Sequence, residues 1–413
     1  MTSHRFPFLL GLILLVPSLI TAAARASTSA YRLSLDTLSE GFDRTTCWVH
    51  ARAGVVPGAT PAIVLTLQKL QLTGNDVFFA LNEMRSDDLG KTWSGPTEHG
   101  ATLGRRDAGN GIQVGVSDYW PKWHAQSGKL LGIGHTVHYA GDKIAHDAPR
   151  ATAYSIYDPQ ERTWTPWTTL AVDDPDLNFN AGAGCSQRVD LPNGDILLPV
   201  YFRRRGEKVL HSVVLRCAFD GKTLRILERG NALSVPIDRG LYEPSLTLFK
   251  GRFYLTLRND RAGYVATSSD GVHFSKPAIW TWDDGSELGN YNTQTHWVTH
   301  SDRLYLAYTR KGANNDHVFR HRAPLFLGEV NPETLTVIKS SERILVPNRG
   351  ARLGNFGVTE VNEKETWVTV TEWMQTWGPN SSDYTIPMKY GSNNAVFAAR
   401  IHWSEPNTTW NAR

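Results

Sequence analysis

Only three cysteines, Cys47, Cys185 and Cys217, occur in the 413 residues, which excludes a disulfide-stapled scaffold and leaves at least one thiol unpaired. None stands in a C-x-x-C spacing, so the usual zinc and thioredoxin-like patterns are absent. Cys185 and Cys217 suit either a bridge between neighbouring strands or two buried free thiols. An excess of one charge sign is also missing, with 43 Lys and Arg against 40 Asp and Glu, so bulk electrostatics give no case for a nucleic-acid partner. Long apolar runs are scarce. The run over residues 8–20 is shorter than the ~20 residues of a membrane helix; His4 and Arg5 precede it and Ala24-Arg25-Ala26 follows. This pattern predicts a secretory signal over residues 1–26, cleaved after Ala26. The mature chain, 27–413, is then expected to be soluble and secreted or periplasmic, with no membrane partner.

Amphipathic helical stretches are nearly absent, and strand-like runs recur at even spacing between Gly, Asn and Asp turns, an all-β pattern. Meanders fall at roughly 60–95, 119–167, 182–228, 241–280, 292–345 and 353–403, a repeat length that fits one β-propeller of about six four-stranded antiparallel blades. Asn193-Gly194 and Lys250-Gly251 supply hairpin turns. Residues before 60 are expected to add a strand to the last blade and close the ring, leaving no open edge.

Two turns carry a family signature. Ser86, Asp88, Gly90, Thr92 and Trp93 fit S-x-D-x-G-x-T-W in full, and Ser268, Asp270 and Phe274 fit it loosely. Together with the β-rich meanders they resemble the Asp boxes, or BNR repeats, of the sialidase superfamily. That resemblance implies a glycoside hydrolase in which three arginines clamp a sugar carboxylate, since a guanidinium matches a carboxylate through two parallel hydrogen bonds. A carboxylic acid protonates the leaving oxygen, and a Glu-activated Tyr attacks the anomeric carbon. Position by position, Arg52 takes the place of the first arginine and Asp76 that of the acid. Glu243, opening Tyr-Glu-Pro-Ser, and Arg258, ending Tyr-Leu-Thr-Leu-Arg, match the activating glutamate and second arginine in order and spacing. Arg320 or Arg322 would be the third arginine, and all three are expected to converge at one end of a central funnel. The nucleophile breaks the pattern: the chain reads Gly354-Asn355-Phe356-Gly357, and a phenyl ring cannot attack. A shifted Tyr291, Tyr305 or Tyr308, or a water, would then take the role.

A second constellation suits β-elimination, which needs a base for the C5 proton, an acid for the leaving oxygen and a cation for the uronate. Its members are His124 within Trp120-Pro121-Lys122-Trp123-His124, then Tyr201 and Arg216, an arrangement that looks like propeller-type ulvan lyases. Trp120 and Trp123 flank the histidine as a candidate sugar platform, whereas Trp93, Trp164, Trp280 and Trp367 fit packing between blades. His135 and His138 differ by three on a strand, so they point to opposite faces. His296, His300, His317 and His321 lack the neighbouring carboxylates or thiols of a convincing ligand set, and neither metal nor cofactor is expected. Sequence therefore favours a monomeric carbohydrate-active enzyme acting on an acidic oligo- or polysaccharide. It would be a sialidase-like hydrolase first, with a uronate lyase or a non-catalytic glycan-binding propeller as alternatives.

Overall fold

A computed structural model describes residues 1–2, 30–145, 148–376 and 382–410. The predicted leader lies outside the described residues, apart from its first two. Among the described residues the strands form six sheets that follow one another along the chain. The first is an antiparallel meander of Thr46–Val56, Ala62–Gln71, Val77–Ser86 and Ser94–Glu98. The fourth meander, Tyr242–Phe249, Arg252–Arg258, Tyr264–Ser268 and Ala278–Ile279, repeats that order. In the sixth, Tyr31–Ser39 pairs antiparallel with Val396–Trp403 as the outer strand beyond Glu365–Thr371 and Phe356–Asn362. The chain start thus completes the last blade, as the edge argument requires. The boundary at 60 is corrected: the first blade already begins at Thr46.

The inner strands explain why this sequence closes into a β-propeller. Thr46–Val56, Ile112–His124, Tyr242–Phe249, His296–Thr299 and Phe356–Asn362 each open a blade, and Ile196–Phe202 lies close to the axis in the third. Neighbours among them touch around the ring. Most of their side chains are buried, in Ile196–Phe202 throughout, because both faces meet another blade. The cores between blades are built from Val, Leu, Ala and aromatic residues such as Trp280, Trp297 and Trp367. At mid-height the axis is filled: the Arg52 guanidinium lies 5.8 Å over the Trp120 ring. Trp120 meets His296 edge-on at 4.9 Å, and His296 meets Phe356 at 4.7 Å. This plug divides the axis into a funnel at the start of the inner strands and a cavity at their ends.

Turn chemistry holds the rims. Ser86 Oγ donates to Asp88 at 2.8 Å and accepts from Gly90 N–H at 2.7 Å, while Asp88 accepts from the Thr92 N–H and hydroxyl at 2.9 and 2.7 Å. Ser268 and Asp270 repeat the same arrangement with Val272 and His273. All three cysteines are free and buried, Cys185 and Cys217 included.

Candidate functional site

At one level of the funnel, successive blades turn a polar residue toward the axis by the same device. The register of the inner strands slips between Val49 and Arg52, between Ser117 and Trp120, and between Tyr242 and Ser245. Each bulge places one residue in the left-handed region: His50 at φ 59°, Asp118 at 52° and Glu243 at 47°. Cys185 in the third blade and Asn292 in the fifth share that conformation at 65° and 47°. A left-handed non-glycine residue costs energy that tertiary contacts must offset, and such residues gather at functional sites.

Glu243 is held by Arg258, whose Nη1 donates to its carboxylate at 2.5 Å. The other fork of Arg258 donates to the Asn292 side chain at 2.6 Å, and its guanidinium lies 4.8 Å over the Tyr242 ring. The Tyr242 hydroxyl donates to Asp260 at 2.7 Å, and burial, opposed by Arg258 and Arg239, pushes this phenol up to about 12. Arg322 is 4 % exposed; it donates to the Asn355 side chain at 3.2 Å and to the Asn292 carbonyl. Glycine makes its berth, since a Cβ on Gly354 would stand 2.6 Å from Arg322 Cδ. Nε of both Arg258 and Arg322 is buried with no partner among the described residues. Arg320, half-buried at φ 54°, flanks them, and Tyr291 shares a 2.6 Å hydrogen bond with His321 beside it. Asp76 is exposed on the loop between the second and third strands of the first blade, close enough to act electrostatically on His50 and Arg352.

A second polar group adjoins the first. Arg150 donates to the Tyr201 hydroxyl at 3.0 Å, and that hydroxyl lies 3.5 Å from His135 Nδ1. The Tyr201 and Tyr242 rings stand 6.4 Å apart. Burial, reinforced by Arg150, lowers His135 to about 3, so its imidazole is neutral at physiological pH and able to accept a proton. Burial raises the Tyr201 phenol, with Arg150 working against the rise. Gly184 is what admits His135, because a Cβ there would fall 1.8 Å from Nδ1. Asp118 lies near His135, 3.3 Å from His50 and 3.2 Å from Arg52. Burial opposes a charge on Asp118, and contact with His50 and Arg52 more than offsets this, holding its carboxyl below the usual range.

The predicted site residues separate into two sets. Glu243, Arg258, Arg320, Arg322, Tyr201 and Asp76 share the funnel. Arg52 is a correction: it is fully buried, and it donates to the Phe356 carbonyl, Asp118 and Gln294 at 3.2, 3.2 and 3.0 Å. Its place is in the axial plug beneath the funnel. His124 is also corrected; its ring nitrogens contact Ser127 Oγ at 2.9 Å and the Gly194 carbonyl at 2.8 Å, and it packs on Phe219. Arg216 pairs with Asp195 at 2.6 Å on the blade surface, with a 39 % exposed side chain. Trp120 and Trp123 line the cavity at the opposite end of the axis, a space of about 680 Å³ shared with Lys122, Asp190 and Glu360. Phe356 fills the plug, while Tyr305 and Tyr308 sit in blade cores against Trp403 and Phe326.

Sequence reasoning passed over His50, Asp118, Asn292 and Arg352, which no motif marks, and discounted His135 in favour of His124, which follows two tryptophans. The bulges that aim His50 and Asp118 carry neither Gly nor Pro. Only Pro244, next to Glu243, left a trace.

No family model matches the chain, and no curated protein does. Among solved structures, a protein of unknown function from Dyadobacter fermentans aligns over 91 % of this chain and all of its own, with a TM-score of 0.64 at 15 % identity. Trypanosoma rangeli sialidase aligns over 89 % of this chain with a TM-score of 0.57 at 14 % identity; the alignment spans only 59 % of the sialidase. The endosialidase of phage phi92 aligns over 92 % of this chain and 70 % of its own, with a TM-score of 0.58 at 11 % identity. The fold is that of a sialidase-like propeller.

Proposed function

We propose that the chain is an exported glycosidase that binds the carboxylate of an acidic glycan in the funnel and hydrolyses the adjoining glycosidic bond. One observation carries this reading: Arg258 and Arg322, from different blades, are buried and both donate to Asn292, their Nε groups have no partner among the described residues, and Arg258 meets a carboxylate, Glu243. Buried N–H groups without acceptors are costly, and an incoming carboxylate satisfies both guanidinium groups. Asp76, exposed at the rim, is the general acid for the leaving oxygen. With Phe356 committed to the plug, the nucleophile is a water activated by Glu243, which Arg258 holds in place. The two turns built on Ser86-Asp88 and Ser268-Asp270 support membership of the Asp-box group by their hydrogen bonding.

Elimination is the second reading, favoured by the contact of His135 with Tyr201 and Arg150. There the neutral His135 imidazole removes the C5 proton of a uronate, the Tyr201 phenol protonates the leaving oxygen, and an arginine stabilises the developing enolate. Incubation with sialosides and with uronate polysaccharides, recording released reducing ends and ultraviolet absorbance together, separates the two. Hydrolysis gives reducing ends without absorbance, whereas elimination gives both. Tyr201→Phe should leave hydrolysis largely intact. A rate loss of about 10²-fold or more together with an absorbing product would transfer the chemistry to the His135 and Tyr201 pair.

A further inference from the structure

The funnel holds more positive charge than its own carboxylates neutralise. Glu243 is taken by Arg258, and Asp260 by Arg239. Arg322 directs its hydrogen bonds at two asparagines. Arg352 is the extreme case. It is 7 % exposed, and its Nε and Nη2 are buried with no partner among the described residues. The guanidinium lies 4.6 Å over the Phe319 ring and 4.2 Å over the Trp373 ring, while a backbone bridge to Trp373 fixes its base. A guanidinium held by its faces between two rings keeps its edge N–H groups available for an oxyanion. Burial lowers Arg352 to about 10, with Asp76 acting against the shift and Arg320 adding to it, so it stays charged at neutral pH. Leu353 N–H donates to the Arg322 carbonyl at 2.5 Å, so Arg322 and Arg352 sit on adjoining backbone, close enough for the charge of one to act on the other.

We infer that the slot between Phe319 and Trp373 is a second anion subsite, and that the glycan recognised carries two oxyanionic groups. The first is the carboxylate held by Arg258 and Arg322. The second, a carboxylate or sulfate on the same or the adjoining sugar, is held by Arg352. This rests on the reading of the funnel as an acidic-glycan site.

Calorimetric titration of the full chain tests it with three probes: N-acetylneuraminic acid, which has one carboxylate, and two disaccharides in which a second carboxylate or a sulfate is added. The wild type should bind at least one dianionic probe about 10–100-fold more tightly than the monoanion, the worth of one charge-assisted contact. Which probe gains names the second group. Arg352→Gln should erase that gain and leave the monoanion unchanged, whereas Arg322→Gln should weaken all three. Arg352→Lys, which keeps the charge and loses the fork, serves if the glutamine variant does not fold. The inference is overturned if dianions bind no better than the monoanion in the wild type. It is equally overturned if Arg352 variants weaken the monoanion as much as the dianions, an outcome that leaves the funnel reading standing. Absence of binding by any probe to the wild type would remove both.

Discussion

Glu243 owes its position to a bulge at φ 47° and is held there by a 2.5 Å contact with Arg258. Glu243→Gln preserves shape and one hydrogen-bonding oxygen but removes the base. Turnover should fall about 10²–10⁴-fold, the usual worth of positioned acid–base catalysis, while circular dichroism and the melting temperature stay near those of the wild type. Unchanged turnover would make Glu243 a partner of Arg258 and nothing more. Gly354→Ala acts on the same cluster from behind, since its methyl would meet Arg322 at 2.6 Å and Thr293 Oγ1 at 2.5 Å. It should raise KM for acidic substrates more than it lowers kcat, because it displaces a binding group. Glu243 and Arg258 were legible because a strand start and a strand end fix their separation. Arg52 was not: its type and place in the sequence fit a clamp, but the bulge at His50 and Ala51 turns its side chain into the axis, where Gln294 and the Phe356 carbonyl hold it.

At the scale of elements, the rim turns carry stability and the bulged inner strands carry function. Asp88 ties its own turn through the Thr92 backbone and hydroxyl, with Ser86 adding a third bond, and these hydrogen bonds hold its carboxyl down at about 2. Asp88→Ala should therefore lower the melting temperature and leave kcat and KM unchanged once the protein is folded. Lost activity in a folded variant would show that this turn communicates with the funnel. The six meanders and the closing strand could be read from alternation, turn residues and repeat length, all of which are local. The bulges could not. Two residues facing one across a strand pair depend on the partner's register, and only Glu243-Pro244 hints at it in sequence. His124 illustrates the same limit: Trp120 and Trp123 precede it in sequence, but its neighbours in space are Ser127, the Gly194 carbonyl and Phe219.

Across the whole molecule, closing the ring buries polar groups along the axis. His50, His135 and His296 all lie below the ordinary histidine value of 6.5, chiefly through burial. The unfolded chain takes up protons there that the folded chain refuses, so their contribution to stability is complete above 6.5 and is lost as pH falls below it. The slope approaches about 1.4 kcal/mol per pH unit for each such histidine. Urea midpoints across that range should fall with acidification, and less steeply in His296→Gln; a flat profile would mean the axial plug admits protons. The account's central claim is that the propeller's funnel selects a carboxylate. Its most direct test is the turnover of an acidic glycan against the same glycan with its carboxyl groups reduced to alcohols. The wild type should cleave the acidic form and leave the reduced form essentially untouched, with Arg322→Gln narrowing the difference. Equal turnover of the two would contradict the claim and leave the arginines as a structural feature of the ring.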